Sequence, residues 1–442
     1  MLMRRFFTLL CFLLVMSSLW AYDVKVGELY YNFTSDSTVE LTHEVYMSPT
    51  NYAGLTEVVV PSEVMCDGKS YAVTMLSNMA FMYASSLKSV DISEGVSGIG
   101  AFAFAGCKSL ATISIPMTVT SVGVDAFANA LWYDNQPEGV VYVNNYLYKY
   151  KGTMPANTTI KVKNGVTTIG AEAFAGCSSL LGIELPNSLR YITYQAFAGC
   201  SSLTEVLIPE NVEWLDEDAF AFCSSLTSVI IPKSILYINP GVFSACSSLA
   251  SIVVEEGNPM YDSREQCNAI IETATNRLLT GCKTTVIPEN VTGIAYVAFY
   301  GCTGLSTIVI PKGVTQIEDG AFYGCTGLTS MVCHAENPPH VEAHTFDVEI
   351  YKGTLSVPCT ALDAYKADAY WGQFAGIQCF ETDNTDLKES VVLGVRVNAG
   401  SVECDVPYVI YDMSGRDVTA YNGNLQGVYV VRTAKGVTKV VM

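Results

Sequence analysis

The sequence predicts a solenoid of short parallel strands wound in 23-residue coils, with a β-rich cap before it and a small antiparallel β module after it. Three observations carry the prediction. The string Ala-Phe-Ala-Gly-Cys-Ser-Ser-Leu stands at 173–180 and again at 196–203, a spacing of 23. Its Phe recurs as Phe81, Phe104 and Phe127, then Phe174, Phe197, Phe220 and Phe243, then Phe299, Phe322 and Phe346, in steps of 23 with a final step of 24. Half of the 442 residues are hydrophobic and only 15% are charged, a composition that must fold to hide its apolar surface.

Taken in chain order, residues 1–21 open with Met-Leu-Met-Arg-Arg. The apolar run Phe6–Met16 follows, and the stretch exits through Ser17-Ser18-Leu19-Trp20-Ala21. A charged start, a short apolar core and a small exit residue describe a secretory signal peptide cut after Ala21. The run is too short to span a bilayer, and no later segment reaches the apolar length a spanning helix needs. Residues 22–72 are rich in Tyr, Val and Thr. Turn signals at Thr34–Ser37 and Asp67–Gly68 predict strands and hairpins that cover the open apolar face of the first coil.

Residues 73–350 form the solenoid. One coil reads Leu203-x-x-Val206-x-Ile208-Pro209-x-x-Val212-x-x-Leu215, then Ala219-Phe220-x-x-Cys223. The alternation at 206 and 208 predicts a strand that Pro209 ends. A second extended piece is expected at 212–215, then one helical or 3₁₀ turn over Asp216–Phe220. No single coil can bury its own apolar residues, but stacking turns each position into a continuous ladder. The longer intervals between Phe127 and Phe174, and between Phe243 and Phe299, predict irregular insertions near 128–166 and 255–290. A partial frame appears earlier, at Leu55, Val58, Val60, Pro61 and Val64.

With these residues in place, the frame resembles the 23-residue leucine-rich repeats of BspA-type bacterial surface proteins. The insertion Asn258–Arg264, followed by Cys267–Thr273, is similar to segments found between repeats in that family. The resemblance implies an exported, non-catalytic protein that works by adhesion or protein binding. Its partners would be host or bacterial surface proteins, with glycans as a further class, and its location secreted or on the cell surface, attached to the outer membrane.

Residues 351–380 are expected to cap the far end, with Tyr365–Phe374 as a short helix, and 381–390 read as a polar linker. In 391–442, Ile410-Tyr411-Asp412-x-x-Gly415-Arg416, Gly427-x-Tyr429-x-Val431-Arg432 and Lys439-Val440-Val441 form an antiparallel set. They resemble the C-terminal sorting domain of the type IX secretion system. The usual Pro-Asn-Pro start is missing, which leaves a plain β-sandwich-like module as the alternative.

The charge balance, 24 basic against 43 acidic residues for a net −19, repels phosphate and argues against nucleic acid. Four histidines leave little for general-base or metal chemistry, and no cofactor is expected. Gly98-Ile-Gly100-Ala-Phe-Ala103 fits a dinucleotide fingerprint, but in the repeat frame Ile99 is a strand position and Ala103-Phe104 the recurrent pair. Cys333, His334, His340 and His344 are the one plausible metal constellation, and His340 and His344 would share a face only if a helix follows Pro338-Pro339. A glycan-active enzyme using Asp216, Glu217 and Asp218 is the catalytic alternative; consecutive acids point apart, and no second convergent acid can be placed. A structural envelope protein without a diffusible ligand is the third reading.

Seven of the 15 cysteines form one repeat column: Cys107, Cys177, Cys200, Cys223, Cys246, Cys302 and Cys325. Adjacent coils would lie within disulfide reach, yet a residue recurring once per coil beside Phe reads more simply as a small buried hydrophobe. If Val206 and Ile208 point inward, their neighbours point out. One outward file is small and mostly hydroxylated: Ser89, Thr112, Gly182, Glu205, Ser228, Ser251, Thr307 and Ser330. The next turns apolar at Leu207 and continues as Ile230, Val253, Val309 and Val332. These five are candidate partner-binding residues, β-branched strand propensity being the plainer explanation. A second candidate surface is the aromatic ladder Tyr191, Trp214 and Tyr237, which mutual stacking would also explain.

Overall fold

The computed structural model describes residues 21–46, 52–381, 395–398, 401–404, 408–412, 418–419, 422, 428–433 and 436–441. The expected leader (apart from Ala21), the linker at 382–390 and the turn at 413–416 lie outside the described residues.

The chain is a β-solenoid of about 13 turns with coils of roughly 23 residues. Its core follows from the repeat. Phe residues one coil apart stack face to face, with ring centroids 5.4 Å apart for Phe81–Phe104, 5.0 Å for Phe197–Phe220 and 5.1 Å for Phe299–Phe322, and tilts of only 4°, 7° and 8°. Each fully buried ring contributes roughly 1.5–3 kcal/mol of burial, and the stacked contacts add to it. Leu, Ile and Val of the frame line the rest of the interior.

Within a run of regular repeats, each coil is laddered to the next on three sides. The first side holds strands such as Ser228–Ile231 and Ser251–Val254, parallel and in register. On the coil of Val206 and Ile208 the expected strand is reduced to a single bridge, Glu205 to Ser228. The reason lies one coil back, where Leu181 bulges out between Leu180 and Gly182 as they pair with Thr158 and Thr159. A bulge displaces the ladder and ends pairing, while Val206 and Ile208 still face inward. The second side carries two-residue strands, Trp214–Leu215 among them.

The third side is not the helical turn expected over Asp216–Phe220. Left-handed backbone recurs at two positions four residues apart: Phe102 and Gly106, Glu172 and Gly176, Gln195 and Gly199, Asp218 and Phe222. This makes consecutive tight turns, in which Ala219 and Ala221 N–H donate back to the Asp216 and Asp218 carbonyls. The alternate N–H groups of Phe220 and Phe222 point along the solenoid axis and donate to Val242 and Ser244 of the next coil at 2.9 and 2.7 Å. The backbone is thus satisfied on a side without strands.

The second side divides into three blocks, each opening with antiparallel strands and continuing in parallel. In the first, Val24–Val26, Leu29–Phe33 and Thr38–Thr42 are antiparallel, and Lys69–Leu76, Gly98–Ile99 and Ser121–Val122 follow in parallel. In the second, the hairpin Gly139–Val143/Tyr146–Lys151 leads to Thr168–Ile169, Tyr191–Ile192, Trp214–Leu215 and Tyr237–Ile238. In the third, Tyr261–Asp262, Ala269–Glu272 and Arg277–Gly281 lead to Gly293–Ile294, Gln316–Ile317 and His340–Val341. The two insertions are therefore regular: each is the hairpin that starts a block. Where a block ends, a tyrosine from the next hairpin replaces the missing coil's acceptor. Phe127 N–H donates to Tyr148 Oη at 3.1 Å, and Ile238 N–H to Tyr261 Oη at 3.0 Å.

At the N-terminal end the parallel ladder begins as early as Glu57–Val60, which pairs in register with Ser89–Ile92. Asp67 and Gly68, both with positive φ, close the two-residue hairpin between Glu63–Cys66 and Lys69–Leu76. At the other end the expected helix over Tyr365–Phe374 is two pieces, a helix at Leu362–Ala367 and a 3₁₀ turn at Trp371–Gln373. Asp368 is extended between them and its Oδ1 accepts the N–H groups of Tyr370 and Trp371, both at 2.9 Å, so it caps a new turn rather than continuing the first. Trp371 is fully buried and its indole N–H donates to the Pro339 carbonyl at 2.8 Å. A disulfide, Cys359–Cys379, ties the terminal strand Gly376–Phe380 to this cap. Beyond it lie two antiparallel groups, Val395–Asn398 with Ser401–Cys404, and Tyr408–Asp412 with Val428–Thr433 and Gly436–Val441.

Candidate binding surface

Sheet geometry decides which repeat residues meet solvent. Side chains alternate along a strand, so the inward Val229, Ile231, Ile252 and Val254 leave Ile230 and Val253 facing out. Leu207 is 78% exposed, Ile230 51%, Val253 44% and Val309 44%. Ile230 is paired directly with Val253, so these side chains stand side by side. Beside them run Ser228, Ser251 and Thr307, too short to shield an apolar neighbour.

Val332 does not belong to this file. It pairs with Val309 on one side and Ser356 on the other, and it is 3% exposed. Ser356 is itself buried, and Gln378 of the terminal strand reaches across to donate to its Oγ at 2.9 Å. The capping strands therefore close the file before Val332. Two further outward apolar residues lie in the frame: Val286, 48% exposed, which precedes Ile287-Pro288 as Val309 precedes Ile310-Pro311, and Val59, 63% exposed, opposite Asp91 in the first ladder. The signal for Val59 was present in the partial frame, because inward Val58 and Val60 place the residue between them outward.

Tyr191, Trp214 and Tyr237 are in register on the second side, away from the Leu207 file. Trp214 and Tyr237 ring centroids lie 4.6 Å apart at 32°, so each covers a face of the other. Tyr191 and Tyr237 remain exposed. An ion pair between Arg190 and Glu213 borders the ladder on one side, and Asn239 Nδ2 donates to Asp216 Oδ1 at 2.6 Å on the other.

The remaining candidates separate in space. Asp216 is held by Asn239, while Asp218 takes left-handed backbone and accepts a bond from Gln195 Nε2. Burial raises the Asp218 carboxyl above its ordinary value, partly offset by that bond. His340 lies in a two-residue strand rather than a helix, Cys333 is buried, and the Cys333 thiol receives the Tyr365 hydroxyl at 3.0 Å. Among the described residues, no group of three or more His, Cys, Asp or Glu side chains comes together to hold a metal.

The repeat-column cysteines are free thiols. Five donate to the carbonyl of the Phe in the preceding coil: Cys107 to Phe81, Cys200 to Phe174, Cys223 to Phe197, Cys246 to Phe220 and Cys325 to Phe299, at 3.0–3.3 Å. Burial pushes the Cys107 and Cys302 thiols up to about 12, leaving almost no thiolate at neutral pH. Ala84 and Ala130 occupy the same column, fully buried, so the position selects small size.

Parallel strands, a 23-residue period and an inward Leu/Ile/Val/Phe frame define a leucine-rich-repeat solenoid. Residues 74–151, 141–263 and 273–359 match the BspA type Leucine rich repeat region (6 copies), and the chain belongs to this family. Among solved structures it is similar to a leucine rich cell surface protein from Faecalibacterium prausnitzii A2-165, with 20% identity, a TM-score of 0.35 and coverage of 80% of this chain and 94% of that one. It is also similar to a leucine-rich repeat protein from Bacteroides ovatus, with 21% identity, a TM-score of 0.29 and coverage of 81% and 100%. A third is the pneumococcal vaccine antigen PcpA, with 14% identity, a TM-score of 0.32 and coverage of 83% and 100%. No curated protein matches the chain. Among the described residues, no helix is long and apolar enough to cross a membrane.

Proposed function

We propose that this chain is an exported repeat protein that binds other proteins, at a cell surface or after release, through the outward face of the first side of its coils. The observation that carries this reading is the file Leu207, Ile230, Val253 and Val309, apolar and exposed beside small residues. Side chains of that kind stabilise a fold only when something covers them; a partner that does so gains about 25 cal/mol per Å². Family membership and the leader-like residues 1–21 support export. The Ile410–Arg416 and Gly427–Arg432 elements support sorting to the outer surface.

The test is a binding screen of residues 22–442 against extracellular-matrix and bacterial surface proteins, repeated with Leu207→Ser/Ile230→Ser/Val253→Ser. Loss of at least tenfold in affinity with unchanged circular dichroism is expected. Unchanged binding removes the reading. Detection on intact cells, with and without residues 391–442, tests the sorting role.

A further inference from the structure

The first sheet begins with a separate three-stranded piece, Glu57–Val60, Ser89–Ile92 and Thr112–Ser114, after which the chain makes the short helix Leu131–Asp134. Its outward face differs in chemistry from the Leu207 file. Val59 is widely exposed at its edge, and Glu57 and Asp91 are exposed on the same face, Glu57 opposite Ser89 and Asp91 opposite Val59. Ser89, Thr112 and Ser114 continue the face with short hydroxyl side chains. The short side chains leave a shallow concavity of about 490 Å³ lined by these six residues and by Val58, Val90 and Ile113 of the same three strands. Among the described residues, neither Glu57 nor Asp91 forms an ion pair, although the nearby sequence carries Lys88. By contrast, Lys161 and Glu184, further along the same face, neutralise one another at 2.7 Å.

We infer that this N-terminal sheet face docks an extended cationic segment of a partner polypeptide, with an Arg or Lys side chain lying over Ser89 between Glu57 and Asp91. The two carboxylates sit diagonally across one ladder step and two residues, about 8 Å apart for strands spaced about 4.8 Å with a rise of about 3.3 Å per residue. A guanidinium between them is within about 4 Å of each, and its aliphatic stem lies against Val59. A second copy of this chain is the wrong occupant, because two surfaces of a molecule of net charge −19 repel. The subsite is distinct from the Leu207 file, which it precedes by five coils along the axis, about 24 Å.

The experiment uses residues 22–442 and two probes at 0.15 M salt: an octapeptide alternating Val and Arg, and the same peptide with citrulline in place of Arg. Citrulline keeps the shape and removes the charge. The Arg peptide is expected to bind at least tenfold more tightly than the citrulline peptide. Glu57→Gln/Asp91→Asn should remove that advantage, and Glu210→Gln/Glu256→Gln, which deletes equal charge elsewhere, should keep it. Leu207→Ser/Ile230→Ser/Val253→Ser should also keep it, so failure here and failure of the apolar-file reading are read separately. Equal loss in the Glu210/Glu256 variant shows diffuse attraction only and overturns the proposal. So does equal binding of the two peptides, competition by a neutral oligosaccharide, or a dimer in light scattering that Glu57→Gln/Asp91→Asn dissolves.

Discussion

Substituting alanine for two glycines that share one backbone conformation separates conformational strain from coil contact. Gly176 and Gly301 occupy the second left-handed position of their coils, with φ of +71° and +67°. A Cβ on Gly176 meets nothing within 4 Å, whereas on Gly301 it falls 2.7 Å from Ala245 Cβ and 2.9 Å from Ala245 Cα. Left-handed backbone costs a residue with a Cβ roughly 1–2 kcal/mol, and the stiffer unfolded chain returns about 0.4–1. Gly176→Ala should therefore destabilise by about 1 kcal/mol. Gly301→Ala adds an overlap that backbone atoms cannot escape by rotamer change, of the order of 1–3 kcal/mol, for a total of about 2–4. Equilibrium urea unfolding, followed by circular dichroism and by tyrosine fluorescence, measures both. A Gly301→Ala variant no less stable than Gly176→Ala would refute the claim that neighbouring coils touch at this column.

Three further outcomes follow from the same packing. Tyr148→Phe removes the hydroxyl that accepts the Phe127 N–H at the first block boundary and should cost about 1–3 kcal/mol, read as a lower urea midpoint; no change would mean water takes its place. Thiol titration of the native protein should find the six buried column thiols unreactive, with Cys177 only partly covered, denaturation without reductant should release them, and peptide mapping should find Cys359 joined to Cys379. A column found oxidised would contradict the Sγ–H bonds to the Phe carbonyls. Among the described residues, His43 is buried with Nε2 unpartnered, and burial holds its imidazole below the ordinary value, so the unfolded chain takes up the proton first as pH falls. Its contribution is complete above about pH 6.5, the unfolded value, and is lost as pH drops through that value and on to the lower folded one. The drop in Tm between pH 7.5 and 5.0 should be smaller in His43→Leu, and an equal drop would assign it to carboxylates alone.

What the sequence determined by itself was everything that repeats. A period of 23 with Phe, Leu and Cys in constant frame admits one economical packing, in which each position meets its own copy, so the ladders, the inward residues and the small-residue logic of the cysteine column were legible at once. Outwardness at Leu207, Ile230, Val253 and Val309 followed from alternation alone. What only the tertiary structure decided lay where the repeat is broken or where neighbours come from outside the frame. Val332 obeys the same alternation as Val309, but two later capping strands, one carrying Ser356 and the next Gln378, cover its surroundings. The insertions at 128–166 and 255–290 look irregular in one dimension because a hairpin has no 23-residue signature; in three dimensions each supplies the strand edge and the tyrosine hydroxyl that a new block needs. The left-handed turns were only half visible: Gly106, Gly176, Gly199 and Gly301 mark the second position, but Phe102, Glu172, Gln195, Asp218 and Val297 fill the first, where glycine would announce it. Cys359 and Cys379 stood outside every column, and only the fold of the cap brought them together.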